Sequence, residues 1–175
     1  MAVPDVAGSW VLPLDVQRRG PTAKSATSVA LEQIATVRAV QPSGAPRPVV
    51  TLDSGYHLET LARASVDADL LVRLIKSRVV YRPPAKQCPA RDRPRLHGTP
   101  FRLSDKRTHG KPRQSAQIDH PLYGKVDLDA WSDLHVRGAP DAPFSIMRVQ
   151  VERLPKLKLP PHPLWLAWTG GPLPA

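Results

Sequence analysis

An aspartate at the end of a short strand is the residue of this sequence best placed to do chemistry. Residues 48–52 are apolar or β-branched after the initial proline, a pattern typical of a strand buried on both faces. Asp53 follows, Ser54 and Gly55 break the run, and residues 57–63 place apolar side chains at helical spacing. A carboxylate at the carboxyl end of a strand in a mixed α/β sheet lies where such folds usually hold their chemistry. Strand, acid, turn and helix therefore make Asp53 a candidate functional residue.

The same order of elements permits a purely structural role for Asp53. An acid just before a first helical turn accepts hydrogen bonds from the free backbone N–H groups and so caps the helix. The local pattern leaves both interpretations open.

A wider resemblance favours the chemical interpretation. Residues 49–56, Val-Val-Thr-Leu-Asp-Ser-Gly-Tyr, and residues 69–76, Asp-Leu-Leu-Val-Arg-Leu-Ile-Lys, resemble the second-aspartate region of DDE-type transposases from bacterial insertion sequences. Five later pieces are similar, in order, to the insertion and last strand of one group of these enzymes: 81–84, 123–126, 130–135, 151–155 and 163–166. The resemblance covers nearly the whole chain, although only the Asp53 motif is specific to chemistry.

The resemblance implies a function and a mechanism. In DDE transposition, three carboxylates hold two divalent cations that activate water or a 3′ hydroxyl for in-line attack on a DNA phosphodiester. Asp53 is then the second acid, a catalytic residue and a metal ligand. Mg²⁺, or Mn²⁺, suits oxygen ligands and a phosphate substrate. The implied partner is DNA, as the ends of an insertion sequence and its target.

The first and third acids of such an enzyme are harder to place. Asp5 lies in a leader containing Pro and Gly, and Asp15 lies on a strand that corresponds to the third of the fold. Glu59 falls in the first turn after Asp53, where an acid favours the helix dipole. Glu152 alternates with Val151 on a strand and is predicted to face solvent. We therefore expect a truncated internal fragment of a transposase that lacks the first and third acids and is inactive alone, because one carboxylate cannot hold two cations.

The predicted fold class is α/β, a partial RNase H-like fold with a β-rich, basic insertion. A strand is predicted over residues 9–16, a helix over 27–40 and a last strand over 164–168. The predicted divisions are a partial RNase H-like core over 1–77, the β-rich basic insertion over 78–160, and the last core strand with the C-terminus over 161–175. At 175 residues with 41% hydrophobic content, the chain can bury one core.

The charge of the chain points to a polyanionic partner. Its formal net charge is +10, a balance that attracts polyanions over distance. Residues 82–113 hold ten Lys and Arg against two Asp, in a segment punctuated by Pro and Gly. This segment is predicted to be a long loop or irregular β insertion that contacts DNA phosphates, although a solvated basic loop explains the charges equally well. The candidate nucleic-acid-binding residues are Arg82, Lys86, Arg91, Arg93, Arg95, Arg102, Lys106, Arg107, Lys111 and Arg113.

The aromatic residues have a structural and a functional interpretation. Tyr81 and Phe101 flank the basic segment and are candidates to stack on unpaired bases. The four tryptophans, in contrast, fall in strand-like segments and are predicted to pack against a sheet. They are Trp10, Trp131, Trp165 and Trp168.

Four further classes of protein are disfavoured by the sequence: disulfide-bonded, zinc-binding, membrane-spanning and secreted proteins. Cys88 is the sole cysteine, so an internal disulfide is excluded, and its spacing to His97 and His109 does not indicate a zinc site. These histidines are predicted to be solvated loop residues. No apolar run approaches the roughly 20 residues of a membrane span, and the N-terminus lacks a signal-peptide pattern. A cytoplasmic protein is expected.

A non-enzymatic module that binds RNA or DNA through its basic segment is the alternative function. It explains the charge and the 21 prolines, and it leaves Asp53 as an ordinary residue of a helix entry.

Overall fold

The computed structural model describes residues 2–4, 11–13, 15–16, 25–85, 95–155, 161–170 and 173, with the backbone alone for 2–4 and 11–13. The elements are, in chain order, β1 (Ala2–Pro4), β2 (Val11–Pro13), α1 (Ala26–Ala39), β3 (Val49–Leu52), α2 (Leu58–Arg63), β4 (Asp69–Leu74), β5 (Val79–Tyr81), β6 (Pro100–Arg102), a 3₁₀ turn (Lys106–Thr108), β7 (Gln114–His120), β8 (Gly124–Val136), β9 (Ala139–Val151) and β10 (Leu164–Thr169).

One mixed sheet of eight strands forms the centre of the fold. Its order is β3-β4-β10-β9-β8-β5-β6, and β7 pairs with β8 beside this path. Strands β3 and β4 pair in parallel, with Leu52 opposite Val72, and α2 connects them. A parallel pair requires such a crossover because the chain must return to the end of the sheet where the first strand began. The other neighbours in the sheet pair antiparallel, and β1 pairs with β2 separately.

The described helices both pack on one face of the sheet. The core joins Ile34 of α1 and Leu61 of α2 to Val72 of β4 and Trp165 of β10. Leu61 is completely buried, which contributes roughly 1.5–3 kcal/mol relative to an exposed leucine. Side chains alternate along a strand, so residues flanking Val72 point to the opposite face. That second face carries Asp53.

The start of each helix follows from local chemistry. Ser25 caps α1, since its hydroxyl accepts the backbone N–H of Ser28 at 3.1 Å. The start of α2 is tied to α1 instead, because the backbone N–H of His57 donates to the hydroxyl of Thr27 at 2.9 Å. Thr27 is only 1% exposed, so this bond fixes the entry of α2 from inside the fold.

An irregularity in β8 allows this strand to pair with β7 along one part of its length and with β5 along another. The pairing of β8 with β9 shifts register between Trp131 and Leu134, and Asp133 there has a φ of 60°. A bulge of this kind bends a strand and increases its twist. Before the bulge β8 pairs with β7, and beyond it His135 pairs with Tyr81 of β5.

The structure agrees with the predicted order of elements and corrects one expectation about burial. The predicted helix over 27–40 is α1, and strands occur where residues 48–52, 69–76 and 164–168 predicted them. Strand β3, however, is not buried on both faces. It lies at the edge of the sheet among the described strands, and Val49 is 54% exposed. An unbroken apolar run arises equally in a short edge strand, so composition alone could not distinguish the two positions.

No helix in the described parts of the chain is long and apolar enough to cross a membrane.

Candidate functional site

Asp53 lies directly after β3, at the carboxyl end of the parallel pair. The chain then turns, with the backbone N–H of Tyr56 donating to the Asp53 carbonyl at 3.4 Å, and α2 begins at Leu58. The side chain of Asp53 remains 69% exposed. The predicted sequence of strand, acid, turn and helix is therefore confirmed, and the carboxylate is open to solvent.

Asp53 does not cap the helix that follows it. The N-cap of α2 is His57, four residues further on, and no side-chain bond caps this helix. The capping interpretation of Asp53 is therefore wrong for this structure. The turn over residues 53–56 places the acid too far from the first turn of α2 to reach its free N–H groups.

The nearest charge to Asp53 is Arg73 on the adjacent strand. The β3 and β4 register continues past Leu52 and Val72, so that Arg73 and Asp53 lie side by side on the face opposite the helices. An Nη1 atom of Arg73 is 3.7 Å from Oδ1 of Asp53, and both side chains are mostly exposed. An ion pair this open to solvent contributes little to stability, about 0–1 kcal/mol.

The two charges border a shallow apolar depression of about 390 Å³. Its floor is built by β3, β4 and β10, since the alternation of each strand directs side chains to this face. The lining residues are Thr51, Leu52, Asp53, Leu71, Arg73, Leu164 and Leu166. The carboxylate thus stands at the rim of an apolar surface and beside a cation.

Sequence reasoning did not single out Arg73. The signal was present in residues 69–74, where Leu70, Val72 and Leu74 alternate with the arginine and are all buried. That alternation places Arg73 on the face opposite the core. Its position beside Asp53 follows only from the parallel register of β3 with β4.

The other acids considered from the sequence do not gather around Asp53. Glu152 is exposed and accepts the backbone N–H of Lys125 at 2.9 Å. Glu59 is the acid of the first turn of α2, as predicted. Asp15 lies in the short described stretch before α1, and Asp5 lies outside the described residues.

The described residues do not by themselves make a metal site. Among them, no group of three or more His, Cys, Asp or Glu side chains is arranged to hold an ion. The Asp53 carboxylate offers hard oxygen ligands of the type that Mg²⁺ prefers, but its nearest charged neighbour is a guanidinium. A lone carboxylate beside an arginine does not fit a two-cation centre.

The ten candidate nucleic-acid-binding residues divide into four groups. Lys86, Arg91 and Arg93 lie outside the described residues. Arg82 is half-buried: its Nη2 donates to the His109 carbonyl, and its guanidinium lies 5.4 Å from the centre of the Phe101 ring. Arg82 therefore stabilises the loop to which it belongs.

Two of the remaining cations pair with acids, one inside the basic segment and one on β8. Arg107 binds Asp105 through its Nε at 3.0 Å, and Arg113 lies 3.3 Å from Asp133. Within the described part of the chain, the others have no carboxylate within ion-pairing distance, and all are exposed. They are Arg95, Arg102, Lys106 and Lys111.

The aromatic side chains belong mainly to the core. Phe101 is fully buried and stacks on His109 with ring centres 4.5 Å apart, so the expectation that it stacks on bases is wrong. Tyr81 is partly buried and packs against His97. The structural interpretation of the tryptophans is confirmed for Trp131, Trp165 and Trp168, which are at most 8% exposed; Trp10 lies outside the described side chains.

The histidines of the basic segment are not solvated loop residues. His109 is 4% exposed, and its Nε2 donates to the Arg102 carbonyl at 2.8 Å. His97 lies with its Nδ1 3.0 Å from Nε2 of the buried His135. Burial lowers the pKa of both His109 and His135. The prediction failed because the apolar neighbours of these histidines are distant in sequence. Cys88 lies outside the described residues.

The exposed carboxylate lies at the end of a parallel strand pair, in a mixed sheet with helices on one face that is compatible with an α/β fold. The family model for DDE superfamily endonucleases matches residues 3–135. The chain belongs to this family, whose members act on DNA and generally use divalent metals. No curated protein and no solved structure matches the chain.

Proposed function

We propose that the chain is the part of a bacterial insertion-sequence transposase that carries the second catalytic acid, Asp53. The observation that supports this most is the position of Asp53, exposed at the carboxyl end of β3 within the β3-α2-β4 unit. In this proposal residues 1–77 are part of an RNase H-like core, residues 78–160 are its β-rich basic insertion, and residues 161–175 return to the core.

The proposed chemistry is DNA cleavage followed by strand transfer. Divalent cations supplied as Mg²⁺ or Mn²⁺ would activate the attacking oxygen and stabilise the leaving oxygen. Asp53 would contribute one carboxylate to their binding. The residues that line the depression beside Asp53 include no second acid, so the proposal requires further carboxylates from elsewhere in the protein.

The basic segment is proposed to hold the DNA backbone. Arg95, Arg102, Lys106 and Lys111 are exposed cations along this segment, and phosphate contacts need only such charges placed along a track. Nothing in this arrangement reads bases, so the contact would be independent of sequence. The same exposed charges favour the alternative function, which is a basic module that binds nucleic acid without catalysis.

Strand transfer distinguishes the two functions. The protein translated from the complete open reading frame should be incubated with duplex carrying the element ends, a labelled target and Mg²⁺ or Mn²⁺. A transposase yields products in which an element end is joined to the target strand. Binding without any joined or cleaved product would support the non-enzymatic module instead.

A further inference from the structure

Strand β7 is exposed along its whole length. Each of its seven residues, Gln114–His120, is exposed, although side chains alternate between the two faces of a sheet. Among the described strands β7 pairs with β8 and with no other. Within the described part of the chain, one edge of β7 and both of its faces are therefore open.

This edge has few of the devices by which proteins usually prevent edge-to-edge pairing, since it carries a single charged side chain, Asp119. Such devices are inward charges, lysine or proline on the strand, bulges and very short strands. The sequence of β7 is Gln-Ser-Ala-Gln-Ile-Asp-His, without lysine or proline, and it pairs with β8 in unbroken register over all seven residues. A regular, unprotected edge of this length is a template for another strand.

The backbone groups that face the open edge can be identified from the neighbouring pair. The N–H of Glu152 donates to the carbonyl of Lys125 at 2.9 Å, so Lys125 directs its polar groups toward β9. Successive residues of a strand alternate in direction, and Val126 therefore directs its groups toward Ile118 of β7. By the same alternation, the residues of β7 whose N–H and C=O groups point outward are Ser115, Gln117 and Asp119.

We propose that β7 pairs with β7 of a second copy of this chain, antiparallel, about a two-fold axis at Gln117. This register pairs all seven residues of the strand. It places Ser115 opposite Asp119 of the second copy and Gln114 opposite His120, so that no two like charges are opposed. An axis at Asp119 would instead oppose two carboxylates, which destabilises a strand pair.

Apolar burial supports the same register. Ile118 is 55% exposed and lies on the same face of β7 as Ala116. The two-fold axis brings Ile118 of one copy directly opposite Ala116 of the other, where Cβ atoms are about 4.5–5.5 Å apart. Both copies then contribute Ile118 and Val126 to one continuous apolar row across the joint. The net charge of +10 opposes association, so the dimer should be favoured by salt.

Disulfide cross-linking tests this register directly. In a Cys88→Ser background, Gln117→Cys places two cysteines opposite each other with Cα atoms about 5.5 Å apart, within the span of a disulfide. Asp119→Cys is the matched control on the same edge and face, but its cysteines would be roughly 13 Å apart. We expect rapid intermolecular cross-linking of the first variant and little of the second. Equal cross-linking of both, or of neither, would overturn the proposal.

The mass in solution provides the second test. The chain without DNA should have twice its 19.2 kDa mass by light scattering at high concentration and in salt. Gln117→Pro removes one outward N–H without removing a backbone hydrogen bond to β8 and should give a monomer. Gln117→Ala loses the same side-chain bond to Asp127 on β8 but keeps the backbone N–H, and it should remain dimeric. Circular dichroism checks that both variants fold. A monomeric wild type, or a dimeric and folded Gln117→Pro variant, would refute the strand pairing.

Discussion

Asp53 combines an exposed carboxylate with a neighbouring cation, and this combination decides what it can do. As an ion pair with Arg73 at 3.7 Å it contributes little to stability. As a cap it contributes nothing to α2, whose N-cap is His57. The remaining property of the residue is an accessible negative charge at the end of β3, which is consistent with its proposed role as a metal ligand. The position of this acid was predictable from the local pattern, whereas its pairing with Arg73 depended on strand register.

The buried histidines make stability depend on pH. Burial holds the pKa of His109 below its ordinary value of 6.5, so the unfolded chain binds a proton that the folded chain resists. The contribution of the neutral, buried histidines to the free energy of unfolding is therefore complete above about pH 6.5. It is lost as the pH falls toward their pKa in the folded state. The urea midpoint should decrease between pH 7 and pH 5. His109→Gln keeps an N–H donor for the Arg102 carbonyl and should flatten that decrease. An identical pH profile for the variant would contradict this assignment.

At the scale of the elements, the sequence predicted what depends on local periodicity. Helix α1 and strands β3, β4, β9 and β10 lie where alternation or helical spacing placed them. The edge position of β3 and the core position of Phe101 depend instead on which strands are neighbours, and local periodicity contains no such information. The hydrogen bond that links the two helices through Thr27 could not be predicted from the sequence for the same reason.

The hydrogen bond that links the helices should be measurable. Thr27→Val preserves the shape of the buried side chain but removes the acceptor for the His57 N–H. Leaving that donor without a partner should decrease the free energy of unfolding by about 1–3 kcal/mol. Thr27→Ser, which keeps the hydroxyl, is the control and should lose less. Urea denaturation measures both, and a larger loss for Thr27→Ser than for Thr27→Val would show that the methyl group, not the hydroxyl, matters.

The basic segment is the element for which the proposal of DNA binding can be quantified. If about four to six phosphates are contacted, log affinity should fall against log salt with a slope of roughly −4 to −5. Replacing Arg91, Arg93 and Arg95 with alanine should flatten this slope by up to about three units. Fluorescence anisotropy with a short duplex at several salt concentrations provides the measurement.

A charge-matched control separates local contact from net charge. Lys76, Lys125 and Arg137 are exposed cations outside residues 82–113. Replacing these three with alanine removes the same total charge and should leave the slope nearly unchanged. If both triple variants flatten the slope equally, the contact surface is not confined to the basic segment.

At the scale of the whole molecule, one continuous sheet connects the parts that the sequence suggested were separate. Strand β10 pairs with β4 on one side and with β9 on the other. The proposed insertion is therefore hydrogen-bonded, through β10, to the strands that position Asp53.

The isolated chain should not cut or join DNA. Asp53 is the one acid among the described residues that line the depression at the candidate site, and a single carboxylate cannot hold two cations in register. Incubation with end-containing duplex and Mg²⁺ or Mn²⁺, followed by a denaturing gel, should show no product. Metal-dependent nicking that Asp53→Asn abolishes would show that other acids of this chain complete the site.

Asp53 is proposed to be a catalytic acid of a transposase. The most direct measurement is strand transfer by the protein from the complete reading frame, comparing wild type, Asp53→Asn and Asp141→Asn. Asp141 is the matched control, because it is 66% exposed and pairs with an arginine, Arg63. We predict that Asp53→Asn abolishes strand transfer while its melting temperature stays within a few degrees of wild type, and that Asp141→Asn retains activity. Normal strand transfer by a folded Asp53→Asn variant would contradict the account.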